Sequence, residues 1–484
     1  MSTLAIILTI VGYVAMLFFV AWRSSRRADN ATFFTGGRNT HRAVAAVAMV
    51  GAAMSGVTYI SVPGTVLADN FSYLQTCLGF IVGYAVIAYV LIPLYYKLGV
   101  VSLYEYLDKR FGIVAHRTGA WFFFVAKTLS ASLRAYVICV VLQTILFDHY
   151  DIPFIVNAAI MISLVWLYTR RGGVKSVVWV EMLKTVIMVG SLVAAIVAIS
   201  SAMGLDMGGT VRYIADSDLS RIFFFDDPMQ RVYFWKQFLA GIFLVVAMTG
   251  LDQDMMQTVL SCRDKRDAQR SMMTSVFIQV GVIILFLALG VLLYGFAQSH
   301  DIAVSGDSLF GHVATEAGLP IFVGVLFLLG LVASTYSSAG SALTALTTSF
   351  TLDILRSSRH GDDMALERTR KRVHAAIAIV MLCVIVVFNA FSSSGVITLI
   401  FTMASYTYGP LLGLFAFGIL TRRSVRGAAI PFIAIVAPAA CYMLSTHSTE
   451  WLGGYQFSYE LIILNGALTM LGLWIFSRKE SHHA

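Results

Sequence analysis

An apolar stretch at 44–68 is interrupted by Gly51, Ser55, Gly56, Ser61, Pro63 and Gly64, within and beside the segment MSGVTYISVPG. Glycine and proline break a helix and free backbone carbonyls, which at membrane depth are tolerated only where protein, water or an ion satisfies them. Interrupted helices near the bilayer midplane build the substrate and cation sites of many secondary transporters; they also occur as kinked helices packed through small residues. The stretch 319–355 contains Ser334, Thr335, Ser337, Ser338, Ser341, Thr344, Thr347, Thr348 and Ser349. Hydroxyls at 334, 337, 338 and 341 share one helix face. Oxygen ligands of this kind suit a hard monovalent cation such as Na+, and the same hydroxyls also serve as hydrogen bonds between helices.

Four basic residues, Lys127, Arg134, Lys184 and Lys236, fall inside apolar stretches. Insertion of each costs at least ~2.5–3.5 kcal/mol, so each needs a partner or a function. Arg134 lies 13 residues from the end of the stretch 119–147, a depth of ~20 Å at helical rise and too far for easy snorkelling. Its planar fork suits a carboxylate held by two hydrogen bonds; a structural partner such as Glu181 would fit it too. Lys127 lies nearer the cytoplasmic end and reads as a snorkelling side chain. Glu181 and Lys184 are three residues apart and can pair on one helix face, as a structural ion pair or with the carboxylate as a cation ligand. Asp252, Gln253, Asp254 and Gln257, followed by RDKRDAQR, read as helix-end and loop contacts near the inner interface.

The sequence contains no GxxxxGK[ST] phosphate loop, no HExxH and no GxSxG, and its ten histidines are scattered. No catalytic constellation points to an enzyme. The five cysteines (Cys77, Cys139, Cys262, Cys383, Cys441) form no CxxC pair and read as small buried hydrophobes.

These groups must be positioned by helices in lipid. Of 484 residues 58% are hydrophobic and 12% charged, against roughly 25% charged in a soluble chain. A crossing needs ~20 mainly apolar residues. Thirteen such stretches are predicted as helices, at 3–22, 44–68, 73–96, 119–147, 153–169, 177–203, 232–260, 271–297, 319–355, 374–391, 396–420, 428–446 and 456–477. The stretch 319–355 exceeds one crossing and should tilt, bend or project. The first stretch lacks a basic n-region and a small-residue cleavage site, and reads as a retained helix followed by Arg23, Arg26 and Arg27.

Lys and Arg test this count, because cytoplasmic loops concentrate them. With the N-terminus outside and the C-terminus inside, the inner segments contain 27 of the 34, and the outer segments contain only Arg212, Arg221 and Arg231. The net charge of +8 therefore sits in loops facing the cytoplasm and does not indicate nucleic-acid binding. The expected partners are a small-molecule solute and membrane lipid, with no obligatory protein partner.

Seven motifs in order give the chain a resemblance to the bacterial sodium/solute symporter family of sugar, proline and sialic acid carriers. They are FFTGGR (33–38), SGVTYISVPG (55–64), SLYEYLDKRFG (102–112), YTRRGGVKSVVWVE (168–181), DQDMMQ (252–257), STYSSAGSALTALTTSFTLDI (334–354) and GPLLGLFAFGI (409–419). The resemblance covers residues 4 to 477. It implies an all-α membrane protein with a five-plus-five inverted-repeat (LeuT-type) core. In that arrangement 1–43 form an extra helix and loop, 44–203 the first repeat, 204–231 an extracellular loop, 232–420 the second repeat, and 421–484 two further helices and a tail.

The same resemblance implies a main Na+ site from the carbonyls of Gly51, Met54 and Ser334 and the hydroxyls of Ser337 and Ser338. A second cation site in some members corresponds to Glu181, Ser337 and Ser341; here Gly340 lacks the usual side-chain ligand and Lys184 stands one turn from Glu181. The expectation is that the Lys184 ammonium takes the second ion's place, leaving one Na+ per cycle. Arg134 matches the carboxylate-binding position of the sialic acid carriers, with Ser55 and Thr58 on the broken helix. The glutamine of those carriers falls at Cys77, with Gln75 displaced by two positions.

The implied function is Na+-coupled symport, by alternating access across a bacterial cytoplasmic membrane, of a carboxylated sugar such as sialic acid or of another organic acid. A neutral sugar or amino acid is the alternative solute. A channel and a transporter-like membrane sensor are the readings from other classes.

Overall fold

The chain is described by a computed structural model over residues 3–25, 30–303, 306–356, 363–391 and 396–479. Arg26, Arg27, Arg359 and the terminal histidines, which entered the charge count or the tail, lie outside the described residues. Nearly all of the described chain is helical, since in lipid a helix satisfies its backbone groups internally.

Nine helices are long and apolar enough to span a bilayer, and twelve if each of three sharply bent pairs counts as one span. Each of the thirteen expected stretches contains a helix. The last one, Leu461–Ile475, has only 15 residues, shorter than the other spans. The helices Lys265–Ser299 and Ile321–Ile354 form the hub, with 67% of their most apolar windows buried. Leu4–Ser25 is peripheral, with 22% buried and Leu4, Leu8 and Phe19 turned outward. The hub helix with the hydroxyls, Ile321–Ser349, is buried on all sides from Gly330 to Ser349 and ends in a π-helical turn, Phe350–Ile354. That turn takes up the excess length of 319–355.

Three breaks shape the interior. Arg42–Ala53 and Gly56–Gly64 meet at 60°, where the Gly- and Pro-rich segment was expected to interrupt a helix. Ile400–Thr407 and Gly409–Leu420 meet at 43°, at the Gly409-Pro410 pair. The stretch 232–260, expected as one helix, is instead divided into Phe234–Gly250 and Gln253–Leu260 with a bend of 70°.

Phe154–Ala202 also changes direction, at Gly173 (φ +50°), where an added Cβ would strike the backbone of Phe33. The half that follows carries Glu181 and Lys184 and packs along the hydroxyl-bearing helix. Beyond the bundle, Arg423–Val425 pairs antiparallel with Ser477–Lys479, joining the loop after Gly409–Leu420 to the segment that follows Leu461–Ile475.

Candidate functional site: a cavity between two helix breaks

At the first break Met54 is extended (φ −102°, ψ 131°) and its N–H returns to the carbonyls of Val50 (3.0 Å) and Gly51 (3.2 Å). Ser55 opens the second half, its N–H donating to Thr58 Oγ1 at 3.3 Å. The break lies against the hydroxyl-bearing helix, since a Cβ on Gly56 would meet the Thr335 hydroxyl.

The second break is built differently. The Asp252 carboxylate caps Gln253–Leu260, accepting the N–H groups of Asp254 (2.9 Å) and Met255 (3.2 Å), as an anion at a helix N-terminus should. The carbonyls freed on the other side are taken by phenols: Tyr95 donates to Gly250 (2.9 Å) and Tyr104 to Leu251 (3.0 Å). The segment contains no proline, so the break left no strong sequence signal beyond Gly250 beside the acids.

Between the two breaks lies a cavity. Ser55, Thr58, Lys127, Ser130, Arg134 and Asp252 form its polar side; Phe80, Leu244, Val245, Met248, Ile400 and Phe401 form its apolar side. Centres of water molecules can occupy about 90 Å³ of it, room for several waters or a small solute.

Two sequence readings are corrected here. Lys127 does not snorkel: it is buried, with Nζ 3.2 Å from Asp252 Oδ2 and 2.6 Å from Asp254 Oδ2. Asp252 and Asp254 are not interfacial loop contacts. The Tyr408 hydroxyl donates to Asp252 at 2.5 Å, and Ser341 donates to Asp254. Two carboxylates drawn into the interior by the 70° bend need a cation beside them, and Lys127 supplies it. The pairing was hidden because it joins elements 125 residues apart in sequence.

Arg134 lines the same cavity, half-buried. Its Nε is buried with no hydrogen-bond partner, and it forms no ion pair among the described residues. Glu181, the structural partner considered for it, is bonded to Lys184. Gln75 is absent from the cavity lining; its amide donates to the Val232 carbonyl (2.9 Å) and accepts the Phe224 N–H (3.1 Å), so it fastens the loop that precedes Phe234–Gly250. The same helix contributes Tyr73, Phe80 and Tyr84 to the cavity instead.

The proposed cation ligands form a separate cluster. Ser338 Oγ donates to the Ser334 carbonyl (2.8 Å) and accepts from Lys184 Nζ (2.9 Å), which also bonds Glu181 Oε2 (3.0 Å). The Ser334 hydroxyl itself returns to Gly330 (2.7 Å). Ser337 lies beside Glu181, and Ser337 Oγ and Glu181 Oε1 are buried with no well-formed hydrogen bond. Two such oxygens, among carbonyls and hydroxyls, fit a hard cation. Gly51 brings the first broken helix into this cluster, because its missing side chain would stand 2.6 Å from the Glu181 carbonyl and from Thr185 Oγ1. Among the described residues no group of three or more His, Cys, Asp or Glu could hold a metal ion, which leaves neutral oxygens as the main candidates.

The four residues considered for a second cation site divide in their hydrogen bonds. Glu181, Lys184 and Ser337 fall in one cluster, but Ser341 is committed to Asp254. The room beside Gly340 is filled by the Tyr168 ring, whose hydroxyl bonds the Tyr336 carbonyl at 2.8 Å.

The Sodium:solute symporter family profile matches residues 33–434. The human Sodium/iodide cotransporter is 25% identical over 410 residues, which are 80% of this chain and 60% of that protein. The human Sodium-coupled monocarboxylate transporter 2 is 24% identical over 416 residues, 83% of this chain and 65% of the relative. The chain thus spans less than two thirds of the length of these relatives. Among solved structures, a Na+-coupled sialic acid symporter in a substrate-bound, outward-open state shares the fold with a TM-score of 0.82 at 20% identity, covering 97% of both chains. A nucleobase-cation-symport-1 family transporter superimposes with a TM-score of 0.54 at 13% identity, covering 93% of this chain and 94% of its own. At these identities the likeness establishes the LeuT-type fold alone. With the profile spanning most of its length, the chain belongs to the sodium:solute symporter family, whose coupling ion is Na+.

Proposed function

We propose that this protein imports a small organic carboxylate together with Na+ by alternating access, with Arg134 as the carboxylate anchor. The observation that carries the proposal is a guanidinium with a buried, unpartnered Nε in a cavity whose other charges are paired. An unsatisfied buried donor is costly, and a carboxylate satisfies it with two parallel charge-assisted bonds. The apolar side and modest volume favour a short monocarboxylate over a nine-carbon sugar acid, and relatives named for iodide and monocarboxylate carry anions.

Charge supplies the coupling. Around the cavity and the cation cluster Lys127, Arg134 and Lys184 face Asp252, Asp254 and Glu181, three basic groups against three acidic ones. Na+ alone leaves a surplus positive charge and the anion alone a surplus negative one; together they cancel. Each therefore strengthens the other's binding by the same factor. With one Na+ per monoanion the step moves no net charge, and accumulation draws on the sodium gradient alone. In this reading Gly51, Met54, Ser334, Ser337 and Ser338 hold the ion, Ser55 and Thr58 border the solute, and the segments 44–203 and 232–420 rock about the site in a bacterial inner membrane with the N-terminus outside.

The test is uptake of radiolabelled lactate into proteoliposomes under an inward NaCl gradient. Lactate should accumulate with Na+ and not with choline, Arg134→Ala should abolish accumulation, and neutral lactamide should not compete. Accumulation of sialic acid and not lactate would assign the sugar-acid class; uptake unchanged in Arg134→Ala would remove the anchor.

A further inference from the structure

We infer that Lys184 is a resident cation of the sodium site: its ammonium competes with Na+ for Ser338, so the ion binds only as the ammonium withdraws from that hydroxyl. The inference rests on the reading that Ser337 and Ser338 hold Na+. It differs from simple replacement of a second ion, because the contact falls on a ligand of the main site.

The geometry is specific. Lys184 is fully buried, and its Nζ lies 2.9 Å from Ser338 Oγ and 3.0 Å from Glu181 Oε2. Ser338 sends its own proton to the Ser334 carbonyl at 2.8 Å, so of its two lone pairs one is held by the ammonium and one remains. A Na+ on that remaining pair would share one oxygen with a second unit charge, at a separation where buried like charges repel strongly. Beside them Glu181 Oε1 and Ser337 Oγ have no well-formed hydrogen bond, while an ammonium has three donors and two are in use here. The ammonium can turn its third donor to Glu181 Oε1 and release Ser338 without leaving its carboxylate.

The charges that bear on Lys184 from other elements are Arg134, which opposes it, and Asp254, which supports it. A carboxylate solute on Arg134 would neutralise a positive charge that opposes both the ammonium and an incoming Na+. The competition makes Na+ binding weak in the empty protein, and the negative charge of the solute offsets that weakness.

The experiment is Na+ binding to full-length protein in detergent, read by 22Na+ scintillation proximity with choline chloride holding ionic strength constant. Removing the pair together, in Glu181→Gln/Lys184→Met, takes away the attracting carboxylate along with the repelling ammonium; because it is the ammonium that occupies Ser338, the half-saturating Na+ concentration should still fall severalfold. Lys184→Met alone should lower it further, with the freed carboxylate as an added ligand; if that variant does not fold, the double variant still decides. An unchanged or higher half-saturating Na+ in the double variant overturns the competition. Wild-type protein that binds no Na+, or binding indifferent to Ser337→Ala, would instead overturn the placement of the ion site.

Discussion

The two helix breaks that border the cavity have similar bends, 60° and 70°, and opposite chemistry. The first is neutral: it falls at the extended Met54 before Gly56, is closed by Ser55 and Thr58, and is pressed against a helix of hydroxyls. The second is charged: Asp252 caps it, two tyrosines hold its carbonyls, and Lys127 balances its carboxylates. In the proposed reading the neutral break leaves oxygen atoms for an incoming cation, and the charged break, with its counter-charge built in, borders the solute. One unwound segment is thus built without charged side chains and the other with them.

The contrast is most severely tested by Lys127→Met, which strands Asp252 and Asp254 without their cation. Breaking a buried pair by deleting one partner costs about 3–5 kcal/mol, so unfolding in detergent should shift to markedly lower temperature. A Lys127→Met protein with wild-type thermal stability would mean that the second break does not depend on its charges. A smaller effect is expected for Tyr104→Phe, which leaves the Leu251 carbonyl without its donor and should cost about 1–3 kcal/mol. The smallest is Thr58→Val at the first break. It removes the acceptor of the Ser55 N–H and should cost about 1 kcal/mol, visible as faster amide exchange at Ser55 with little change in unfolding temperature. If Thr58→Val proved as damaging as Tyr104→Phe, the two breaks would not differ in the way described.

The same contrast explains what the sequence disclosed. Apolar runs placed a helix in every expected stretch, and Gly56 marked the first break because glycine acts locally, whereas Pro63 lies inside the second half-helix. The hydroxyl face at 334–341 was visible from helical spacing, and Arg134 from its depth. The second break was missed because Gly250 alone is ordinary in a membrane helix, and what opens it is the capping of Asp252 and two distant phenols. Lys127 was misjudged for the same reason, its carboxylates lying on another element. Ser341 has the right spacing for the Ser337 cluster but turns to Asp254, and Gln75 is two residues out of step with the cavity; neither orientation is fixed by local pattern.

One consequence follows from the role of Gln75. Its amide holds Val232 and Phe224, and Asp69, just beyond the second half of the first broken helix, holds Arg231 at 2.7 Å. The segment 221–232 is therefore a strap stitched to two neighbouring rods, and it must travel with them or tear. A nanobody raised against that strap would act as a splint, fixing both rods in one position without ever entering the cavity.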